Sequence, residues 1–342
     1  MRKLSISLGA LGFLTAVAAC DDGGGAGGAG GASATTGASM TTGTTTSSGS
    51  MSGTTASATT TTAASGSTGS GMMNAGFPPH WPDGTDCASE DPIFVWKYSE
   101  NTYILRQSLC TSFEAPFLYL LFGEDKVLLE DTGDGGIPLQ STVQGIIDVW
   151  LAEHGKSSIE LVVAHSHGHG DHVAGDGQFQ NKPNTTVVGT SAAAVKTFFG
   201  FTDWPNEVLT YDLGGRVLHV VPIPGHQSAH IALYDPQDRL LLTGDTLYPG
   251  RLYVQDFAAF KTSVGELVTY IQATSLPVDF VLGTHIEMTT TKGDDYPFQA
   301  ASHPNEHPLQ LDLAHLLELD AAVKAMSGPM NEVHDDFIIY PL

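Results

Sequence analysis

The sequence predicts an α/β domain in four layers (αββα), two β-sheets face to face with helices on their outer sides. Three observations carry this. Short apolar runs of strand length open the folded part in antiparallel style, strands then alternate with helical spacing, and the succession occurs roughly twice. No internal repeat or coiled-coil period competes with it.

In order, the apolar runs at residues 93–98, 102–107, 117–123 and 126–131 read as strands, with Gly123-Glu124-Asp125 as a hairpin turn. Residues 138–155 carry apolar side chains at Val143, Ile146, Ile147, Val149, Trp150 and Leu151, a helix that Gly155 stops. A strand over 159–166 runs into a histidine cluster; a strand at 185–189 and a helix at 191–199 follow. Strands at 216–223, 230–235 and 239–245, a helix at 258–274 and a strand at 279–285 form the second round. Residues 308–326 read as a final helix with Pro308 near its start.

The first quarter is not foldable material. Residues 1–20 have two basic residues, an apolar stretch from about Leu4 to Val17 and small residues before Cys20, the layout of a secretory signal too short to span a bilayer permanently. Val17-Ala18-Ala19-Cys20 resembles a bacterial lipobox, which implies a lipid-modified Cys20 and an exported protein anchored in the cell envelope, periplasmic or on the outer surface. Residues 21–75 are dominated by Gly, Ala, Ser and Thr, uncharged from 23 to 71, and have nothing to bury against their ordering entropy. They read as a flexible tether with a mean reach of about 40 Å. Residues 76–342 are then long enough for one large domain.

A formal charge of −23 argues against nucleic acid as a partner and reads as solubility. With Cys20 lipidated, Cys87 and Cys110 are left to pair with each other outside the reducing cytoplasm. Such a bond is worth about 3 kcal/mol for a loop of that size.

The polar residues that stand out sit where predicted strands end: Asp131, then His167, His169, Asp171 and His172, then His226, Asp245 and His285. His and Asp are poor strand and helix formers, so packing does not explain the cluster. Imidazole and carboxylate are zinc ligands, and a catalytic zinc keeps a position open for water. In H-x-H, two rings can face one ion from an irregular loop, and His226 completes a set with His167 and His169. Asp171 and His172 point another way, toward a second ion that His285 joins. Asp245, with two oxygens, suits a bridge between ions about 3.5–4 Å apart.

H-x-H-x-D-H followed by PGH, GD and GTH resembles the metallo-β-lactamase superfamily, in the family's order from Asp131 to His285. The resemblance implies that family's αββα fold, two Zn²⁺ ions (with Mn, Fe or Co as alternatives), and a buried Asp131 that orients a ligand. His165 lacks the required aspartate four residues on, so it reads as outer support. His230 reads as packing, and His303, His307 and His315 as scattered surface residues. Tyr248, Arg251 and Tyr253 either reach substrate or cover the site.

The chemistry implied is hydrolysis of an ester-like bond by hydroxide held between the ions, with Asp171 and Asp245 holding metal and no nucleophilic side chain. Asp245 stands where β-lactamases of the family generally lack aspartate, which counts against a β-lactam. TGDTLY resembles glyoxalase II-type thioesterases and lactonases, but after His285 only Lys292 and Lys324 offer basic groups for glutathione's carboxylates. A small-molecule substrate, a lactone or ester, is expected. The alternatives are a glyoxalase II-like thioesterase, a β-lactamase, and a non-catalytic metal-binding surface lipoprotein.

Overall fold

The structure, a computed structural model, describes residues 76–342; the signal, lipobox and tether expected over 1–75 lie outside the described residues. The first half runs β1 (Ile93–Ser99), β2 (Thr102–Gln107), β3 (Phe117–Phe122), β4 (Lys126–Glu130), α1 (Leu139–Glu153), β5 (Glu160–Ala164), α2 (Gly170–Val173), β6 (Thr185–Val187) and α3 (Ala192–Phe199). The second half runs β7 (Leu209–Asp212), β8 (Val217–Pro222), β9 (Ile231–Asp235), β10 (Leu240–Gly244), β11 (Arg251–Val254), α4 (Phe257–Thr274), β12 (Phe280–Gly283), β13 (Gln310–Leu311), α5 (Leu313–Ala325), β14 (Glu332–Val333) and β15 (Ile338–Pro341). No described helix is long and apolar enough to cross a membrane.

One sheet has the order β1-β2-β3-β4-β5-β6, and a second has β13-β12-β10-β9-β8-β7. The first is antiparallel through β4 and parallel from β4 to β6. In the second, only β10 and β12 run parallel. Side-chain alternation along β3 shows how the layers form. Phe117, Tyr119 and Leu121 face a core shared with Leu218, Val220, Leu233 and Leu242 of the second sheet. Leu118, Leu120 and Phe122 face the opposite way, onto Val143, Ile147 and Trp150 of α1. A third core joins the outer face of the second sheet, through Tyr234, Leu241 and Val281, to Phe260 and Leu267 of α4 and Leu316 and Leu319 of α5. Three cores between four layers make the αββα sandwich that the sequence predicts.

Local signals hold most helix ends in place. Ser191 Oγ accepts from the Ala194 N–H at 3.2 Å to start α3, and Gly200, at φ 89°, ends it. Asp256 caps α4 through the Ala259 N–H at 3.0 Å. The last helix departs from expectation. It starts at Leu313, capped by Asp312, and Pro308 lies outside it because Gln310 and Leu311 pair with β12. A third, small sheet, β11-β15-β14, is also absent from the sequence reading. It brings the C-terminal strand beside β11, a pairing over some 85 residues that no local period announces. Cys87 and Cys110 are joined as a disulfide.

Candidate metal centre

All the singled-out site residues lie at one edge of the sandwich, just past the ends of β4, β5, β8, β10 and β12. Parallel pairing of β4 with β5 and of β10 with β12 makes those strand ends point the same way. After β5 the chain turns through Ser166 and Gly168 into α2, one turn of helix that carries Asp171 and His172.

Two ligand sets result. In one, His167 Nε2, His169 Nδ1 and His226 Nε2 stand 2.9–3.1 Å apart. Asp245 Oδ2 completes it, 3.3 Å from His226 and 3.7 Å from His167. In the other, Asp171 Oδ2 lies 3.2 Å from His172 Nε2 and 3.3 Å from His285 Nε2. Asp245 Oδ1 completes that set at 3.5 and 3.4 Å from the same two nitrogens. Each set of four keeps its ligand atoms within 4.8 Å of one another.

The outer faces of the rings decide which nitrogens are free to ligate. His226 Nδ1 donates to the Tyr253 carbonyl at 2.6 Å, and His285 Nδ1 to the Glu114 carbonyl at 2.8 Å. His172 Nδ1 donates to Asp131 Oδ2 at 2.8 Å. Asp131 is itself held by the Ser166 N–H at 2.8 Å and Oγ at 2.7 Å, from a left-handed backbone at φ 69°. His167 Nδ1 meets Ser166 Oγ at 3.1 Å, and His169 Nε2 faces the Gln255 amide at 3.1 Å. Outward donation by Nδ1 of His172, His226 and His285 leaves Nε2 of each as the nitrogen available to a cation. His172 Nε2 is buried with no hydrogen-bond partner. The donor set fits two zinc-sized ions: nitrogen and oxygen ligands with edges near the ~3.3 Å that bond lengths of about 2.0–2.1 Å require of a tetrahedron.

The two sets differ in charge. Burial holds His167 well below its ordinary value, and burial also lowers His169 and His226. Burial opposes charge on His172 and His285 too, but Asp245 on both, with Asp131 and Asp171, overcomes it and holds both rings well above the usual range. Asp171 is buried as well, yet His172 and His285 hold it far below an ordinary carboxyl.

Supporting residues close the floor. His165 is buried and bonds Asp176 Oδ1 at 2.8 Å, and Thr132 Oγ1 donates to the same oxygen at 2.9 Å, so it braces the loop from behind. His230 packs under His167 with ring centroids 4.7 Å apart. Its Nε2 abuts Gly244, where a Cβ would lie 2.4 Å away and φ is +50°, so the glycine before Asp245 is a requirement of close approach. The surface reading of His303 is corrected. It is buried, stacked on Tyr296 at 4.1 Å and bonded to Glu306 at 3.0 Å, and Glu306 in turn pairs with buried Arg106.

A cavity of about 180 Å³ opens onto the ligands, and Glu114, Tyr248, Tyr253, Gln255, Glu287 and Phe298 line it beside them. Tyr248 and Tyr253 therefore do border the substrate space. Arg251 does not: it is spent on Glu287 at 3.1 Å, on Asp295 and on the Tyr253 hydroxyl at 2.9 Å. Glu114 carries no mark in the sequence; burial, opposed by His285 and reinforced by Asp171, Glu287 and Asp245, pushes its carboxyl up to about 7.

A sandwich of this kind with a histidine–aspartate centre for two ions defines a class of metal-binding enzyme folds. The model of the Metallo-beta-lactamase superfamily matches residues 113–285, half of the chain, and the chain belongs to that superfamily. Among curated relatives, it is similar to a hydroxyacylglutathione hydrolase of Rhizobium meliloti, 33% identical over 91 residues, which are 26% of this chain and 35% of that protein. It is also similar to a hydroxyacylglutathione hydrolase of Chromohalobacter salexigens, 30% identical over 142 residues, 41% of this chain and 50% of that protein. The chain thus spans a third to a half of the length of these relatives. A solved metallo-beta-lactamase from Pontibacter korlensis aligns over 68% of this chain and 100% of its own, at 18% identity and a TM-score of 0.46.

Proposed function

We propose that this chain is a dinuclear metal-dependent hydrolase of an ester-like bond, a lactone or an ester in preference to a thioester. The observation that carries the reading is Asp245, whose two oxygens are divided between two complete ligand sets. His167, His169 and His226 would hold one ion and Asp171, His172 and His285 the other, with zinc favoured by the donors and Mn, Fe or Co as alternatives. Two divalent ions supply a lowered pKa for water and polarisation of a carbonyl. The chain's own residues fix the rings through Asp131 and the Tyr253 and Glu114 carbonyls, and the buried floor excludes water from beneath.

Similarity to hydroxyacylglutathione hydrolases favours a thioesterase as the second reading. Against it stands the supply of cations. Lys292 pairs with Asp335 and Lys324 with Asp320, and neither lines the cavity. We further propose, from residues 1–20 and the tether, that the protein is exported and lipid-anchored at Cys20 in the cell envelope.

The test is turnover by the zinc-loaded full chain of a panel with one member each from lactones, aryl esters, acylated glutathiones and β-lactams. A lactone or ester turned over well above the rest, and lost in Asp171→Ala, is the expected result. Preference for acylated glutathione would replace the reading with the second one, and no turnover by protein holding two ions would overturn both.

A further inference from the structure

This inference rests on the hydrolase reading and names the charge of its substrate. The cavity over the ligands has acidic groups and aromatic rings in its wall but no lysine or arginine. Arg251, which contacts the wall residues Tyr253 and Glu287, is held by Glu287 and Asp295 and also donates to the Tyr296 carbonyl at 2.8 Å. Glu287 is thereby offset: its second oxygen accepts from the Arg251 N–H at 2.7 Å. Glu114 is different. Its backbone carbonyl is committed to His285, while its side chain, part-buried in the wall, makes no hydrogen bond or ion pair with any described residue. Partial burial of a carboxylate without a partner is unfavourable, and a cation supplied by a ligand offsets it.

The surroundings match that ligand. Phe298 lines the cavity 65% exposed, and its ring packs on Phe113 with centroids 5.7 Å apart. Phe298 and Tyr253 thus place two aromatic rings in the same cavity wall as Glu114. A carboxylate among aromatic rings is the chemistry that holds ammonium groups, by charge and by the rings' negative faces. An anionic group placed away from the metal ligands meets the opposite: an unpaired carboxylate and no lysine or arginine in the wall.

We propose that Glu114 selects substrates bearing an ammonium group near the scissile ester and rejects those bearing carboxylates, with Phe298 and Tyr253 as the flanking aromatic faces.

Three esters with the same acyl group test this on the zinc-loaded full chain: butyrylcholine, its neutral isostere 3,3-dimethylbutyl butyrate, and a butyrate ester carrying a carboxylate at the same position. We expect kcat/KM for butyrylcholine about tenfold above the neutral isostere, with the anionic ester lowest. In Glu114→Gln the ratio of cationic to neutral kcat/KM falls toward one, and Glu114→Asp recovers part of it. Binding of choline, followed by titration, weakens about tenfold in Glu114→Gln. Equal or better use of the anionic ester, or choline affinity unchanged in Glu114→Gln, overturns the proposal. Choline binding that depends on Glu114, with no ester turned over, upholds the charge preference and defeats the hydrolase reading. Turnover blind to charge does the reverse.

Discussion

The two halves of the metal centre are built from the same residue types yet stand in opposite states of charge. His167, His169 and His226 converge as three rings on which burial disfavours charge; His226 Nδ1 donates to the Tyr253 carbonyl, His167 Nδ1 faces Ser166 Oγ, and His169 Nε2 accepts from the Gln255 amide. His172 and His285 meet two carboxylates instead, Asp171 and Asp245, and keep their protons. In the first half one carboxylate, Asp245, faces three rings. The second has already neutralised itself with ion pairs, so an incoming ion there must displace protons. Proximity of ligands alone does not describe readiness to bind; the balance of carboxylates to rings does.

Asp245 is the one group common to both halves, and removing it breaks the comparison most. Asp245→Ala should lower zinc content from two ions per chain to one at most and cut activity by well over about a hundredfold, beyond the loss typical of supporting residues. Metal analysis beside kinetics checks it, and two tightly held ions in the variant would show that the bridge is dispensable. Next, Asp131 touches His172 and no ring of the first half. Asp131→Asn should weaken one zinc equivalent by about 10–100-fold and leave the other within a few-fold, which separates the halves in a chelator competition.

The smallest effect is one of pH. Because His172 and His285 hold protons that ligation must expel, affinity for the second equivalent should climb as pH rises from about 6 to 8, while affinity for the first changes little. In the metal-free protein the sign for stability follows from the same rings. Their raised folded values contribute stability that is whole below the unfolded value near 6.5 and drains as pH rises through the folded values. Calorimetric proton release on zinc titration measures the asymmetry; equal release for both equivalents would abolish it.

Much of this was legible in the sequence, for a physical reason. H-x-H-x-D-H packs four ligands into residues 167–172, and the strands that deliver His226, Asp245 and His285 announce themselves by apolar runs of the right length. Glu114, Gln255 and Phe298 could not be seen, because each reaches the cavity from a loop or helix start with no spacing to mark it. His303 and the Arg106–Glu306 pair were hidden for a related reason. Arg106 and Glu306 lie 200 residues apart, a buried ion pair of that span leaves no periodic trace, and His303 is buried beside Glu306 as part of it. The small third sheet escaped likewise, its strands too short and too far apart for any window to capture. Pro308 misled because proline at a helix start is common, whereas Asp312 and the pairing of Leu311 with Val281 set the true boundary.

The segment from Cys110 to Glu114 joins two facts that have so far stood apart. The disulfide to Cys87 anchors one end of it, and the Glu114 carbonyl at the other end receives the proton of His285. A covalent staple on the surface therefore lies only four residues from the atom that aims a metal ligand. None of the seven ligands is a thiol, so the centre itself is indifferent to oxidants. Its geometry is tied to a disulfide: reduction would release one end of the segment whose other end orients His285, through a bond that never touches the site.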